Sequence, residues 1–294
     1  MSMPRPFLRL GRRVSVYVGA GLLALWTFVP IYWLLAMSFM YNSEVVTIPA
    51  DLYPHQPTFA NYLRLFDLPA YGLSGQRLAT IGQAAIVRQG WVNSLIVAVS
   101  VTALTMLLAV PLAYALGRLK FRLRSTLLFS VVTTRAYPPI AVLIPFSFLF
   151  SVVGLEGTRL ALIIIYLTIT IPLVSWVLTG FFAGVPLSVE KLARVDGLTR
   201  WQTFYRVMVP VAGPGIAACA VIAFIAAWNE FTFSLILTAG SSSQTFPPTL
   251  SGMFFQVADP AAMAAASILG FLPPALVALA FQKWIRQVNI VDPL

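Results

Sequence analysis

The chain has 294 residues, of which 59% are hydrophobic and only 10% are charged, and its formal net charge is +10. Soluble domains have about 25% charged residues, so this composition excludes an ordinary soluble domain and indicates a membrane protein. An anionic inner leaflet accounts for the excess of positive charge, and no nucleic-acid partner is predicted.

Apolar runs of about 20 residues are long enough to cross a bilayer core of about 30 Å as a helix. Six such runs predict an all-α integral membrane protein with six transmembrane helices. The spans, in chain order, are residues 14–39, 92–116, 127–150, 160–182, 209–237 and 261–281. The predicted parts around them are a basic tail, a long first connection, a five-helix core and a C-terminal tail, which are residues 1–13, 40–91, 92–285 and 286–294.

The positions of the Lys and Arg residues predict the orientation, because short cytoplasmic loops accumulate them. Most of the 19 lie in the N-terminal tail, in the connections after spans two and four, and near the C-terminus. Both termini are therefore predicted to be cytoplasmic. The long connection 40–91 is then extracytoplasmic, and the basic cluster Arg118 to Arg124 is interpreted as an anchor of this topology.

The connection between spans four and five, residues 183–209, has the pattern of two short helices joined by a tight turn. Ser188 is predicted to cap the first helix, with Glu190 in its first turn. Gly197 ends that helix, and a capping box that begins at Thr199 starts the second. Such an element can dock into a groove on a cytoplasmic partner and tilt the attached span. A helix that lies on the inner leaflet is the alternative.

The segment VEKLARVDGLTRWQTFYRVMVPVAGPG resembles the EAA loop of ABC importer permeases. Ala193 matches the second Ala of that pattern, Asp196 and Gly197 match its Asp-Gly, and Pro210 matches its Pro. Other stretches, in the right order from about residue 16 onward, resemble the carbohydrate-uptake, maltose-permease-like branch of the same binding-protein-dependent family. They are NYLRLF, NSLIVAVSVTALTMLLAVPLAYALGRLKF, PPIAVLIPF and AWNEFTFSLIL.

The loop departs from the family pattern at two positions. Lys191 stands where the family has Glu, and Leu192 stands where it has the first Ala, while Glu190 comes one residue early. Either Glu190 substitutes after a slight rotation of the helix, or Lys191 meets a partner surface of altered charge. The predicted ATPase-coupling residues are Glu190, Lys191, Leu192, Ala193, Asp196 and Gly197.

The resemblance implies a type I ABC importer permease fold with a cytoplasmic coupling helix, in the bacterial cytoplasmic (inner) membrane. The implied function is import of a sugar, oligosaccharide, polyol or related solute by alternating access, coupled to ATPases through residues 186–210. The implied partners are two ATP-binding cassette ATPase subunits, a second homologous permease chain, an extracytoplasmic solute-binding protein and the lipid bilayer. The sequence has no G-x-x-x-x-G-K-[ST] loop, so ATP and Mg are expected on the ATPases and no cofactor on this chain.

Polar side chains within spans are costly and suggest a substrate pathway. Span five has Trp228, Asn229 and Glu230 in succession, and span three has Arg135 and Tyr137 beside two prolines that should break or kink the helix. The amide and carboxylate can bind solute hydroxyls, and the indole can stack on a sugar ring. The structural alternative is that Glu230 pairs with Arg135 or another buried donor and holds helices together.

Two other functions stay open on the residues alone. One is a stand-alone secondary carrier that uses Glu230 as its ion-coupling site, and the other is a non-transporting membrane scaffold. Paired carboxylates, a Ser/His/Asp set and metal-ligand spacing do not occur in the sequence, so neither an enzyme nor a metal site is predicted.

Overall fold

The computed structural model describes residues 5–49, 51–256 and 259–286. Within these residues the regular secondary structure is helical, apart from an isolated antiparallel bridge between Tyr71 and Arg77. A 3-10 turn spans Thr134–Ala136, and a π-helical segment spans Phe204–Met208. The α-helices are α1 Arg5–Ser38, α2 Asn42–Val45, α3 Ala60–Leu65, α4 Ala84–Arg118, α5 Arg124–Thr133, α6 Pro139–Val152, α7 Arg159–Gly184, α8 Leu187–Val195, α9 Arg200–Thr203, α10 Val209–Val211, α11 Gly213–Trp228, α12 Thr232–Leu237, α13 Phe246–Gln256 and α14 Pro260–Arg286.

Four of the described helices, α1, α4, α7 and α14, are long and apolar enough to cross a membrane. They confirm the predicted spans one, two, four and six as long apolar helices. The bent pair Arg200–Val211 and Gly213–Trp228 is a fifth candidate. Six crossings and cytoplasmic termini remain predictions.

The predicted third span is two helices and not one. Tyr137 and Pro138 have extended backbone, with ψ angles of 130° and 134°, and α6 begins at Pro139. Proline lacks an N–H and disfavours the helical conformation in the residue before it, so the consecutive prolines end α5 and start α6. The predicted break is confirmed.

The predicted fifth span, residues 209–237, is also interrupted. The helix axis bends by 75° between Val211 and Gly213, and α11 ends at Trp228. Pro214 removes a helical hydrogen-bond donor at this bend. The segment after Trp228 leaves the helix and continues as the short helix α12. The predicted span therefore consists of a helix pair that is bent at its start and of a separate short helix at its end.

The structure divides into two compact units. The first comprises the described residues up to Ala85 together with Met253–Leu269. In it, the buried Asn61 side chain donates to the carbonyls of Ser38, at 3.0 Å, and Met40, at 2.8 Å. Arg64 and Asp259 form an ion pair of 2.7 Å that attaches α3 to the start of α14. Polar contacts of largely buried side chains therefore fasten the connection after α1.

The second unit comprises Ile86–Gly252 together with the described residues from Gly270 onward. Its core forms where α4, α7 and α11 pack together. The buried hydroxyls of Thr105 and Thr170 lie 2.6 Å apart between α4 and α7. At Gly215 in α11 an added Cβ would lie 2.7 Å from Cγ of Phe181 in α7, so these two helices approach closely. This packing forms the framework of the second unit.

Candidate functional site

The loop between α7 and α11 forms two short helices and a tight turn, as the sequence predicts. The first helix, α8, begins after Pro186, which makes no side-chain cap, and Ser188 lies inside its first turn. The prediction that Ser188 caps this helix was therefore wrong, because α8 begins at Leu187, two residues before the start that a Ser188 cap requires. Glu190 does lie in the first turn.

The turn after α8 has the predicted geometry. Gly197 has a φ of +83°, the left-handed conformation that glycine adopts without a steric penalty. Thr199 then starts α9 with a capping box: its Oγ1 accepts from the Gln202 N–H at 3.3 Å, and its own N–H donates to Gln202 Oε1 at 2.8 Å. Both predictions are confirmed.

One face of α8 is exposed although it is rich in apolar side chains. Leu192 and Val195 are 63% and 82% exposed, and Leu187 is exposed as well. Lys191 lies among them and is also exposed, whereas Ala193 is buried on the opposite side. We define the exposed face of α8 by Leu187, Lys191, Leu192 and Val195. It combines apolar surface with a positive charge.

Glu190 is turned away from the exposed face and toward α4. Its Oε1 accepts from the Tyr114 hydroxyl at 2.9 Å, and its Oε2 lies 3.1 Å from Nε of Arg118. The Arg118 side chain is only 3% exposed. The sequence had placed Arg118 only among the topology-setting basic residues, and no local pattern linked it to Glu190.

Trp228 lies in the core of the second unit. It is 2% exposed, and its indole N–H donates to the Gly270 carbonyl at 3.1 Å. Its ring contacts those of Trp91 and Phe224, with centroids 6.1 Å and 5.9 Å away. The structure thus gives Trp228 a packing position, and the indole has no open face for stacking on a solute in this conformation.

Glu230 follows the end of α11 and caps the next short helix. Its Oε1 accepts from the Phe233 N–H at 2.9 Å, and its Oε2 accepts from the Ser234 N–H at 3.3 Å. Asn229, between this cap and Trp228, is exposed. The side chain of Arg135 lies outside the described residues, so its predicted pairing with Glu230 remains a prediction.

A cavity of about 670 Å³ lies beside the break between α5 and α6. Tyr137, which is 63% exposed, lies on its wall, and Phe233, whose N–H binds Glu230, lies there too. The cavity has the size of small-molecule sites and a mainly apolar wall with a few hydroxyls. The residues that line it are Thr134, Tyr137, Val142, Leu167, Thr168, Ile169, Ile171, Pro172 and Phe233. Of the predicted pathway residues whose side chains are described, only Tyr137 lies on this wall.

The sequence is similar to known transport proteins along nearly its whole length. It is 30% identical to the sulfoquinovosyl glycerol transport system permease protein SmoH of Agrobacterium fabrum, over 91% of this chain and 88% of the relative. It is 29% identical to the trehalose/maltose transport system permease protein MalG of Thermococcus litoralis, over 93% of this chain and 94% of the relative.

The fold is shared with a solved transporter. A chain from a bacterial ABC transporter involved in the import of the acidic polysaccharide alginate superposes with a TM-score of 0.72 at 20% identity, over 97% of this chain and 99% of that one. Residues 109–288 match the family described as binding-protein-dependent transport system inner membrane component. This match takes in more than half of the chain and agrees with relatives aligned along most of it, so the chain belongs to the family of binding-protein-dependent transport system inner membrane components.

Proposed function

We propose that the chain is the transmembrane permease subunit of an ATP-driven ABC importer that moves a sugar, oligosaccharide, polyol or related solute into the cell. The observation that supports this most strongly is the near full-length similarity to permease proteins named for sulfoquinovosyl glycerol and for trehalose and maltose. The chain is then a transport component, and ATP with Mg is bound and hydrolysed on separate ATPase subunits.

In the proposed topology the chain crosses the cytoplasmic membrane six times, with both termini in the cytoplasm. The broken pair α5 and α6 forms the third crossing, and the bent pair that ends at Trp228 forms the fifth. The distribution of Lys and Arg supports this orientation. The most apolar stretch of α1 contains no buried residue, as expected for a helix that faces lipid or another subunit.

The proposed partners are two ATPase subunits, a second homologous permease chain and an extracytoplasmic solute-binding protein. The exposed face of α8 docks with an ATPase through Lys191, Leu192 and their neighbours. Buried Ala193 anchors the opposite side of the helix, Glu190 binds α4, and Asp196 and Gly197 form the turn. ATP binding moves α8 only if it favours the outward-facing state over the inward-facing one, so the docked complex must differ in affinity between the two states.

The proposed substrate pathway runs along the cavity beside the α5–α6 break. Tyr137 presents a hydroxyl there, and Thr134 and Thr168 keep acceptor capacity after donating to the Val131 and Ile165 carbonyls. Asn229 is exposed close in sequence to the Glu230 cap. Glu230 supports this wall because it binds the N–H of Phe233, which lines the cavity, whereas Trp228 packs in the core and binds the Gly270 carbonyl.

The test of the proposed function is a pull-down of the full chain, tagged and solubilised in mild detergent from its native membrane, with mass spectrometry of the retained proteins. We expect a P-loop ATPase and a second permease chain. The solute-binding protein encoded with them is then screened against sugars and polyols to identify the solute. A chain that is recovered alone or only with itself contradicts the importer assignment and favours a stand-alone carrier or a scaffold.

Gly197→Val is expected to uncouple ATP hydrolysis from uptake without preventing membrane insertion. A residue with a Cβ costs about 1–2 kcal/mol in the left-handed conformation, and a β-branched one is a marked outlier there. Gly197→Asn is the matched control, because Asn tolerates this conformation. We expect near-normal uptake per ATP with Asn and a clear loss with Val in reconstituted vesicles. Normal uptake with Val contradicts the role of the turn.

Tyr137→Phe is expected to weaken transport by raising KM while leaving kcat nearly unchanged. A single hydrogen bond contributes about 0.5–1.5 kcal/mol, which corresponds to roughly a two- to tenfold rise in KM. Tyr17→Phe, which alters an exposed tyrosine in α1, serves as the control. Uptake kinetics with the solute from the binding-protein screen measure the effect. An unchanged KM would remove Tyr137 from the pathway.

Glu230→Gln is expected to keep most of the uptake activity, whereas Glu230→Leu loses it. The Gln side chain retains one acceptor oxygen for the backbone N–H groups of α12, and Leu retains none. An ion-coupled carrier gives the opposite result for Gln, because the neutral amide cannot bind and release a proton. Uptake driven by ATP alone, with proton and sodium gradients collapsed, separates the two functions.

A further inference from the structure

Three side chains connect α8 to the cytoplasmic end of α4, and we call them the bracket: Tyr114, Arg118 and Glu190. We propose that the bracket makes α8 and α4 move as one body, so that a displacement of α8 reaches α4 directly and not only α11 along the chain. The proposal rests on the proposed function, in which an ATPase displaces α8. It assigns Arg118 as a positioning residue for transport.

Apolar packing by itself does not fix α8. Ala193 is the buried residue among the nine of this helix, and three of its large apolar side chains are exposed. The segment before it is also bound by the bracket, since Arg118 Nη1 donates to the Val185 carbonyl at 2.8 Å and Nη2 to the Pro186 carbonyl at 3.4 Å. The direction in which α8 leaves α7 therefore depends on Arg118.

Breaking the contacts of the bracket is energetically unfavourable. The guanidinium of Arg118 is almost fully buried, and its contacts are the Glu190 carboxylate and two backbone carbonyls. Removing the carboxylate would leave a buried, uncompensated positive charge, which is costly. Arg118 is also the last residue of α4 and Glu190 lies in the first turn of α8, where each charge is favoured by its own helix dipole.

Tyr114 extends the bracket into the core. It precedes Arg118 by one helical turn, so both side chains lie on one face of α4. Its ring centroid is 4.8 Å from that of Phe204, in the π-helical segment, and 5.7 Å from that of Phe182 in α7. The Glu190 carboxylate thus binds a side chain that also contacts α7 and the π-helical segment. A movement of α8 that kept this contact would displace α4 with it.

The test measures a distance within the assembled importer, which contains the ATPases and the second permease chain. Spin labels are placed at Leu107→Cys on α4 and Arg194→Cys on α8, in a Cys219→Ser background that removes the chain's single native cysteine. Pulsed electron paramagnetic resonance gives the distance without nucleotide and after trapping with ADP and vanadate. We expect the same distance in both states. A change in this distance in the otherwise unaltered chain overturns the proposal.

The variant Arg118→Met should release α8 from α4. Trapping with ADP and vanadate should then shift the distance between the two spin labels by more than the width of the distance distribution measured without the Arg118→Met change. Import per ATP hydrolysed should fall at least about fivefold, in the range of ordinary coupling between sites. Arg122→Met, at an exposed arginine in the following connection, is the matched control and should change neither quantity. The proposal is contradicted if, in the Arg118→Met complex, trapping leaves the label distance unchanged and import per ATP hydrolysed stays normal.

If Arg118→Met does not assemble with the ATPase, Glu190→Gln and Tyr114→Phe decide the question, because both keep the side-chain volume. A trapping-dependent shift in either variant supports the bracket, and its absence in both overturns it. Failure of the proposed function would look different, since the unaltered chain would then retain no ATPase at all.

Discussion

A lipid bilayer contains no water to bind polar groups, so each of them must find a partner within the protein. This constraint explains the positions of several polar side chains of the second unit. The Trp228 N–H binds the Gly270 carbonyl, and the buried Asn93 amide donates to the carbonyls of Ser242 and Gln244 at 2.8 Å each. Glu230 meets two backbone N–H groups. Trp228 and Glu230, which the sequence made candidates for binding a solute, are therefore engaged by the protein's own backbone.

The same constraint bears on the position of the cavity. Extended backbone at Tyr137 and Pro138 interrupts the helical hydrogen bonding, and such backbone is tolerated at membrane depth where it is covered by protein or faces a water-filled space. The cavity lies beside this break, and Tyr137 is on its wall. The consecutive prolines thus separate two helices and create an opening at one place, which is why the break supports a substrate pathway better than the buried Trp228 does.

The sequence predicted the features that depend on neighbouring residues. The left-handed Gly197, the capping box at Thr199 and the long apolar helices are each determined within a few turns of chain. Features that depend on distant residues were missed. The Trp228 indole, at the end of α11, binds the Gly270 carbonyl, and Glu190 binds Arg118, which is 72 residues away in the sequence. The error at Ser188 is local, since α8 begins directly after Pro186, two residues before the predicted start.

The orientation of α8 distinguishes between the two accounts of its unusual charge pattern. Successive residues of a helix point about 100° apart, so Glu190 and Lys191 cannot both face α4. Turning Glu190 outward to replace the glutamate of related loops would leave Arg118 buried without its carboxylate, which is strongly unfavourable. Glu190 therefore stays with α4, and Lys191 remains on the exposed face beside Leu192 and Val195. A partner that docks there needs an apolar groove with a carboxylate near Lys191, so the charge of the docking surface follows from the contact made on the opposite side of the helix.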